Sequence, residues 1–518
     1  MKTNRVIKIF LASSEELEAD RYRFGNLIRK LDNIYEKRGI RIELFEWEDY
    51  DAAYNGMRKQ DEYNERVRAS DMFLALFHKK AGKFTIEEFN IARKAFDEQA
   101  SPKIYTYIKD LEAGESESRE LAEFKRLMLE ELGHYWCRYS NFDTMQLHFV
   151  LQLQMVEATT PIKVEVKESQ VKIGDSTIAD LNNVPFTSEN ATHRELQSRK
   201  EQLDREIGNA ESGGRRGFFG QRSRMTDEEL ANLREERESV TEQIERQEKA
   251  LVDTAMSIAR MQGGECSPRM RTAAELFEKG ETDKAEAVLK EDDMEADATN
   301  AKLKFDTAAQ PTAELARNIE RCAGEYMLKA RIVVSGIADE SRYRQAVKLM
   351  STAIDLVSGR LPEETLAEYL FDYAVLLADA GQQTKALETW ERLSGIYERL
   401  YRKAPQKYAY GYAGVLNNMA VLYSDKGDFD HCLSKYLKAI DIYDWLDREE
   451  PGIYDDDIAR LKNNLGTLYS DRDEYNKALS EFNEAARIRF ELLAKDNDPD
   501  SRSALALSLI HISEPTRP

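Results

Sequence analysis

The chain has 518 residues, 33% of them charged, with a net charge of −21. That length suggests roughly two to four domains. The acidic balance excludes a general nucleic-acid binder, because phosphate calls for a basic face. No run of about 18 apolar residues reads as a membrane span. The N-terminus runs straight into a strand-like stretch without a secretory core. Cys137, Cys266, Cys322 and Cys432 are scattered with no Cys-x-x-Cys spacing, so neither a zinc site nor a disulfide framework is indicated. These features lead to the expectation of a cytoplasmic protein without a cofactor.

In chain order, Val6–Leu11 is a short apolar run that ends in Ala12-Ser13-Ser14. An amphipathic stretch with Leu17, Phe24, Leu27, Ile28, Leu31 and Ile34 on one face follows, closed by Gly39. Ile40–Phe45 and Met72–Phe77 read as the second and third strands, with a helix over Glu62–Ala69 between them. A helix over Thr85–Phe96, a strand over Lys103–Ile108, a helix over Leu121–Leu132 and a weak strand over Tyr135–Tyr139 complete the block. Short strands alternating with helices predict a parallel, doubly wound sheet. Ligands bind such sheets at the carboxyl ends of the strands. Ser13-Ser14, Trp47-Glu48-Asp49 and the stretch Phe77–Glu88 are expected to converge there.

Three stretches carry a resemblance: Phe10-Leu-Ala-Ser-Ser14, the Ser70-Asp71 turn, and Gly82-Lys-Phe-Thr-Ile-Glu-Glu-Phe-Asn-Ile-Ala92. Over about residues 5–155 the chain resembles bacterial TIR-like domains, within a group that joins such a domain to helical repeats. In catalytic members an aromatic-Cys-x-x-Glu-aliphatic stretch carries the essential glutamate. Phe84-Thr85-Ile86-Glu87-Glu88-Phe89 matches it with Phe-Thr in place of Trp-Cys, which makes Glu88 the implied catalytic residue. The loop after the second strand lacks the family's Gly/Pro-rich pattern. The resemblance implies a flavodoxin-like fold and cleavage of the N-glycosidic bond of NAD, here a substrate and not a cofactor. One carboxylate suits that chemistry: nicotinamide leaves as a neutral group, and the oxocarbenium-like sugar needs a nearby negative charge. Ser13 and Ser14 are candidate donors to phosphate or ribose, and Trp47, Phe77 and Phe84 candidate stacking rings.

Each residue also has a structural reading. Thr85-x-x-Glu88 has the spacing of a capping box, which explains Glu88 with no substrate. Ser13-Ser14 fits a strand-to-helix cap, Trp47 fits packing, and His78 has no nucleophile in suitable spacing. Walker and GxGxxG motifs are absent from the sequence.

Beyond residue 160, Val164–Lys167 and Val171–Ile178 alternate with period two and predict a small β-ribbon over 161–190. Leu196, Leu203 and Ile207, then Leu230, Leu233, Val240, Ile244 and Leu251, predict an antiparallel coiled-coil hairpin over 191–260. Its Gly-rich tip carries Arg215, Arg216, Phe218, Phe219, Arg222 and Arg224. It reads either as an ordinary hairpin tip or as a docking loop for an anionic partner.

Three segments starting at Asp372, Asn418 and Asn464 recur at a spacing of 46 residues. Small residues follow each at Ala386, Cys432 and Ala478, and aromatics at Trp390, Tyr436 and Phe482. The offsets resemble the tetratricopeptide repeat (TPR), whose usual period is about 34 residues. Ala273–Leu289 looks like an earlier unit and Ser341–Val357 closes a degenerate one, giving an all-α superhelix over 265–506. The tail, 507–518, breaks the helical pattern and resembles a translated sequencing adaptor, so it is set aside.

The fold expected is therefore a flavodoxin-like (TIR-like) α/β domain over 1–160, a coiled-coil hairpin, and a TPR superhelix. Two functions fit. One is a nucleotide-cleaving effector governed by a protein or peptide on the repeats, of the kind found in bacterial defence or stress response. The other is a non-catalytic scaffold that self-associates through the TIR-like domain.

Overall fold

The computed structural model describes residues 5–36, 39–45, 59–112, 114–130, 136–156, 164–173, 176–212, 226–262, 266–336, 339–449, 451–495 and 505. The chain divides into two compact units, one of residues 1–153 with 170–184 and one of 154–169 with 185–518.

The first unit alternates strand and helix. Its elements are β1 (Arg5–Ser13), α1 (Glu18–Glu36), β2 (Ile40–Phe45), α2 (Lys59–Arg68), β3 (Met72–Phe77), α3 (Lys83–Gln99), β4 (Lys103–Lys109), α4 (Arg119–Glu130), β5 (Cys137–Tyr139) and α5 (Phe142–Val156). The sheet is five-stranded in the order β2-β1-β3-β4-β5 with every pairing parallel, the flavodoxin-like order. β3 is central, which is why all six of its residues are apolar and buried. Phe73, Phe77, Phe89, Phe124 and Met128 form a core on one face with Val67 and Ala92. Asp71 fixes the entry to β3: its Oδ2 accepts from the Lys8 amide at 2.8 Å and its own amide donates to the Lys8 carbonyl.

Strands lie where the small β-ribbon was expected, divided more finely than the sequence reading had it. The period-two run Val171–Ile178 is two strands, β7 (Gln170–Ile173) and β8 (Ser176–Asp180), which pair antiparallel with each other. The sequence did carry a signal for the division, Gly174-Asp175, where the apolar alternation stops after Ile173. The short strand β6 (Glu165–Lys167) precedes them and belongs to the second unit.

In the second unit a short helix, α6 (Pro185–Ser188), leads to the hairpin of α7 (Ala191–Ser212) and α8 (Asp227–Gln262). Leu203, Val240 and Ile244 form its seam, flanked by Leu196 and Leu233. Arg237 Nε–Asp204 (2.8 Å) and Arg234 Nη2–Glu211 (2.6 Å) cross it in antiparallel register. The tip residues Arg215, Arg216, Phe218, Phe219, Arg222 and Arg224, read either as an ordinary hairpin tip or as a docking loop, lie outside the described residues. At the hairpin base His193 Nε2 lies 2.9 Å from the buried Glu248 carboxylate, and the Ser169 hydroxyl donates to the same oxygen at 2.6 Å.

Paired helices follow: α9 (Pro268–Glu278), α10 (Thr282–Val288), α11 (Glu291–Thr307), α12 (Ala313–Ser335), α13 (Glu340–Val357), α14 (Glu363–Asp379), α15 (Gln383–Lys403), α16 (Pro405–Asp425), α17 (Phe429–Glu449), α18 (Asp455–Ser470) and α19 (Tyr475–Lys495). The 46-residue register falls on three pairs, α14/α15, α16/α17 and α18/α19. The period is long because α15, α16, α17 and α19 each have 21 residues. Ala386, Cys432 and Ala478 are fully buried, with Trp390, Tyr436 and Phe482 packed beside them. Gly466 is small by necessity: a Cβ there would lie 2.6 Å from the Phe482 ring. None of the four cysteines is joined in a disulfide. Among the described residues no helix is long and apolar enough to cross a membrane.

Candidate functional site

Attention falls on the carboxyl edge of the α/β sheet, where the strand order reverses between β1 and β3. Ser13 ends β1 beside Leu76 of β3. Its hydroxyl accepts from Arg21 Nη1 at 2.8 Å, and the same nitrogen donates to the Ser14 carbonyl at 3.0 Å. Arg21 and its neighbour Asp20 are buried in the first turns of α1. Asp20 Oδ2 receives Lys109 Nζ at 2.9 Å and the Tyr139 hydroxyl at 3.0 Å, which ties α1 to the ends of β4 and β5. Burial, and then the adjacent Asp20 charge, push the Tyr139 phenol upward, so it stays a donor.

The loop after β3 is basic, with Lys79, Lys80 and Lys83. His78 Nε2 lies 3.3 Å from Glu115 Oε2, and Lys79 pairs with the other oxygen of that carboxylate. The hydrogen bond from Lys79 is the largest cause holding Glu115 below the usual carboxylate range. His78 therefore lies against the Lys79–Glu115 ion pair. The carboxylate of Glu16, in the single 3-10 turn Glu15–Leu17, accepts from the backbone amides of Lys79 and Lys80.

The expected capping box is absent. α3 begins at Lys83 with Gly82 as N-cap (φ −61°, ψ 138°) and no side-chain cap hydrogen bond. Thr85 is thus the third residue of the helix, and Glu88 lies in its second turn, beyond reach of the helix start. The chain turns helical before Thr85 because nothing between Gly82 and Thr85 breaks a helix. Glu88 falls on the inward stripe Thr85, Glu88, Ala92 and Ala95, with 9% of its surface exposed, and the residue is not without a partner.

The proposed stacking rings separate. Phe77 is completely buried, with its ring 5.1 Å from that of Phe124, so it has no open face for a ligand. A residue ending the central strand of a doubly covered sheet packs into the core. Phe84, 57% exposed in the first turn of α3, has an open ring. Trp47 lies outside the described residues. Ser13 and Ser14 do lie at the carboxyl edge, and both act within local hydrogen bonds. The reading of the sequence missed Glu16, Asp20, Arg21 and Lys109. The polar run Ser14–Asp20, directly after an apolar strand, was the signal available.

No protein-family model and no curated protein matches the chain. Among solved structures it is similar to BtubC (BKLC) from P. vanneervenii, at 17% identity, TM-score 0.31, covering 57% of this chain and 92% of that one. It is similar to the apo form of RapI at 16% identity, TM-score 0.34, covering 62% and 70%. A third neighbour is a signal transduction ATPase with numerous domains and a tetratricopeptide repeat sensor, from Pyrococcus horikoshii. Its identity is 12%, its TM-score 0.34, and the coverage 98% and 84%. At these scores the neighbours carry no statement about what the chain binds. The chain itself combines an N-terminal parallel α/β domain with a C-terminal region of TPR-like paired helices.

Proposed function

We propose that the protein is a two-part sensor and effector. Its TPR-like helices hold a protein or peptide partner, and its α/β domain, resembling bacterial TIR-like domains, cleaves NAD or a related nucleotide at the N-glycosidic bond. Glu88 is the carboxylate that stabilises the oxocarbenium-like sugar. The observation that supports this reading is Glu88 itself. It is a nearly buried glutamate with no capping role, and glutamate is seldom buried without a specific task or partner. Phe84, one helical turn earlier, offers an exposed ring. A partner on the repeats regulates or assembles the effector, which fits a role in bacterial defence or stress response.

The test is nicotinamide release by the full chain, wild type against Glu88→Gln. The amide keeps the shape and removes the charge. Release by wild type is expected to fall at least about 100-fold in the variant, the scale of losing one electrostatic stabiliser, with the melting temperature little changed. Equal release by both proteins refutes the role of Glu88.

A second reading is a scaffold that self-associates through the α/β domain. The burial of Phe77 and the engagement of Ser13 and Ser14 in local hydrogen bonds favour it. It predicts no nicotinamide release from either protein, at any concentration and with any trigger.

A further inference from the structure

We propose that the carboxyl edge of the α/β sheet carries a cradle for a phosphate group, and that Glu16 is the chain's own anion held in it. Three donors converge on a single oxygen of this glutamate. The backbone amides of Lys79 and Lys80 reach Oε1 at 3.0 and 3.2 Å, and the Ser14 hydroxyl reaches it at 3.3 Å. Glu16 is exposed, so burial does not dictate where its carboxylate goes. Consecutive backbone amides aimed at one point form an anion-binding concavity, and a phosphate oxygen satisfies the same donors as a carboxylate oxygen.

The location matches the chemistry. Ser14 follows the end of β1, and Lys79 and Lys80 follow the end of β3. These neighbouring strands flank the point where the strand order reverses, the place where open α/β sheets take their ligands. The buried Arg21 guanidinium fixes the end of β1 through Ser13 and the Ser14 carbonyl, so the hydroxyl donor sits on a braced strand end. Lys79, Lys80 and Lys83 make the other side positive, and Glu115 offsets part of that charge through Lys79. α3 starts two residues beyond the loop with no side-chain cap, and its 17 residues direct the positive end of their dipole to the same side. An incoming phosphate therefore exchanges with the Glu16 carboxylate, which swings into solvent. For NAD this deepens the proposed function, and rests on it, by giving the pyrophosphate its donors. For inorganic pyrophosphate it stands alone.

The experiment is calorimetric titration of inorganic pyrophosphate into the full chain at low ionic strength, where surface charge is least screened. Glu16→Ala and Glu16→Gln are compared with wild type. Glu18→Gln, which removes one negative charge nearby on α1, is the control. Both Glu16 variants are expected to bind about tenfold more tightly, the gain from removing an internal competitor that holds the site nine-tenths of the time. Glu18→Gln is expected to match wild type, and adding Ser14→Ala to Glu16→Ala to give back part of the gain. The proposal fails if folded Glu16 variants bind no better than wild type, or if Glu18→Gln gains as much as they do. NAD titrated in parallel separates the two ideas. Tighter pyrophosphate binding keeps the cradle whether or not NAD is cleaved, and the glycohydrolase is judged separately by Glu88→Gln. Cleavage without any gain in the Glu16 variants removes the cradle and keeps the glycohydrolase.

Discussion

The α/β domain and the helical array use opposite strategies to specify a core. In the array, one set of contacts recurs. Ala386, Cys432 and Ala478 are the same small residue in three pairs, and Trp390, Tyr436 and Phe482 the same large one. Each pair needs only its neighbours, so stability is close to a sum of local terms. In the α/β domain no contact recurs. Phe77 of β3 meets Phe124 of α4, which meets Phe89 of α3, and loss of one member affects all three elements. Repetition makes an array easy to read, whereas a unique core makes a unique site.

The sharpest test of this contrast removes one large ring from each region. Phe77→Ala and Trp390→Ala are both expected to cost about 3–5 kcal/mol. Segment-resolved amide exchange distinguishes them. Phe77→Ala is expected to lower protection in β1, β3 and β4 together. Trp390→Ala is expected to open α14–α17 while α9 and α10 stay protected. Uniform loss across all the array helices would break the comparison.

Overpacking comes next. Ala420 is fully buried on α16, at the position held by Ala374 on α14 and Gly466 on α18. Ala420→Leu is expected to cost about 1–3 kcal/mol in urea unfolding. A neutral result would mean that this helix pair is packed more loosely than its register implies.

A smaller effect separates two identical spacings. Thr226-x-x-Glu229 is a true capping box: the Glu229 amide donates to Thr226 Oγ1 at 3.1 Å, and the Thr226 amide donates to Glu229 Oε2 at 2.7 Å. Thr226→Ala is expected to cost about 0.5–2 kcal/mol, with raised exchange at the start of α8. Thr85→Ser keeps a hydroxyl at the other Thr-x-x-Glu and is expected to leave exchange at the start of α3 unchanged.

The smallest effect concerns Asp253 on α8. Burial pushes its carboxyl above the ordinary range, outweighing the attraction of Arg331 and Lys249. A carboxylate with a raised folded-state pKa binds its proton more tightly in the folded protein. Its charge therefore costs stability as pH rises through that pKa. Asp253→Asn is expected to melt above wild type at pH 7, and the gap is expected to close as pH falls toward the ordinary carboxylate range near ~4. A gap that widens on acidification would reverse the assignment.

The strands show how much of the fold could be read in advance. Ile40–Phe45 and Met72–Phe77 appear with the boundaries read from the sequence: Met72–Phe77 is apolar throughout because the central strand is covered on both faces, and Ile40–Phe45, at the sheet edge, buries Ile40 and Ile42 and exposes Arg41 and Glu43. The helix pairs were legible from three segments repeating in step. The ribbon was legible as strand, but its division into β7, ending at Ile173, and β8, starting at Ser176, was not drawn from the sequence. Glu88 was misplaced for a different reason. A capping box is a statement about where a helix starts, and the Thr-x-x-Glu spacing is equally compatible with a helix that starts at Lys83.

Sequence by itself settled the element types, the parallel order of an alternating α/β block, and the 46-residue array, since these follow from periodicity and from the sizes of residues that must interleave. Only the tertiary structure decided which polar groups share the carboxyl edge. Glu16 meets Lys79 and Lys80 across 63 and 64 residues of chain, and Asp20 meets Lys109 and Tyr139 across 89 and 119. Hydrogen bonds between groups that far apart leave no local pattern. They exist because neighbouring parallel strands end side by side, and that adjacency is a property of the folded sheet.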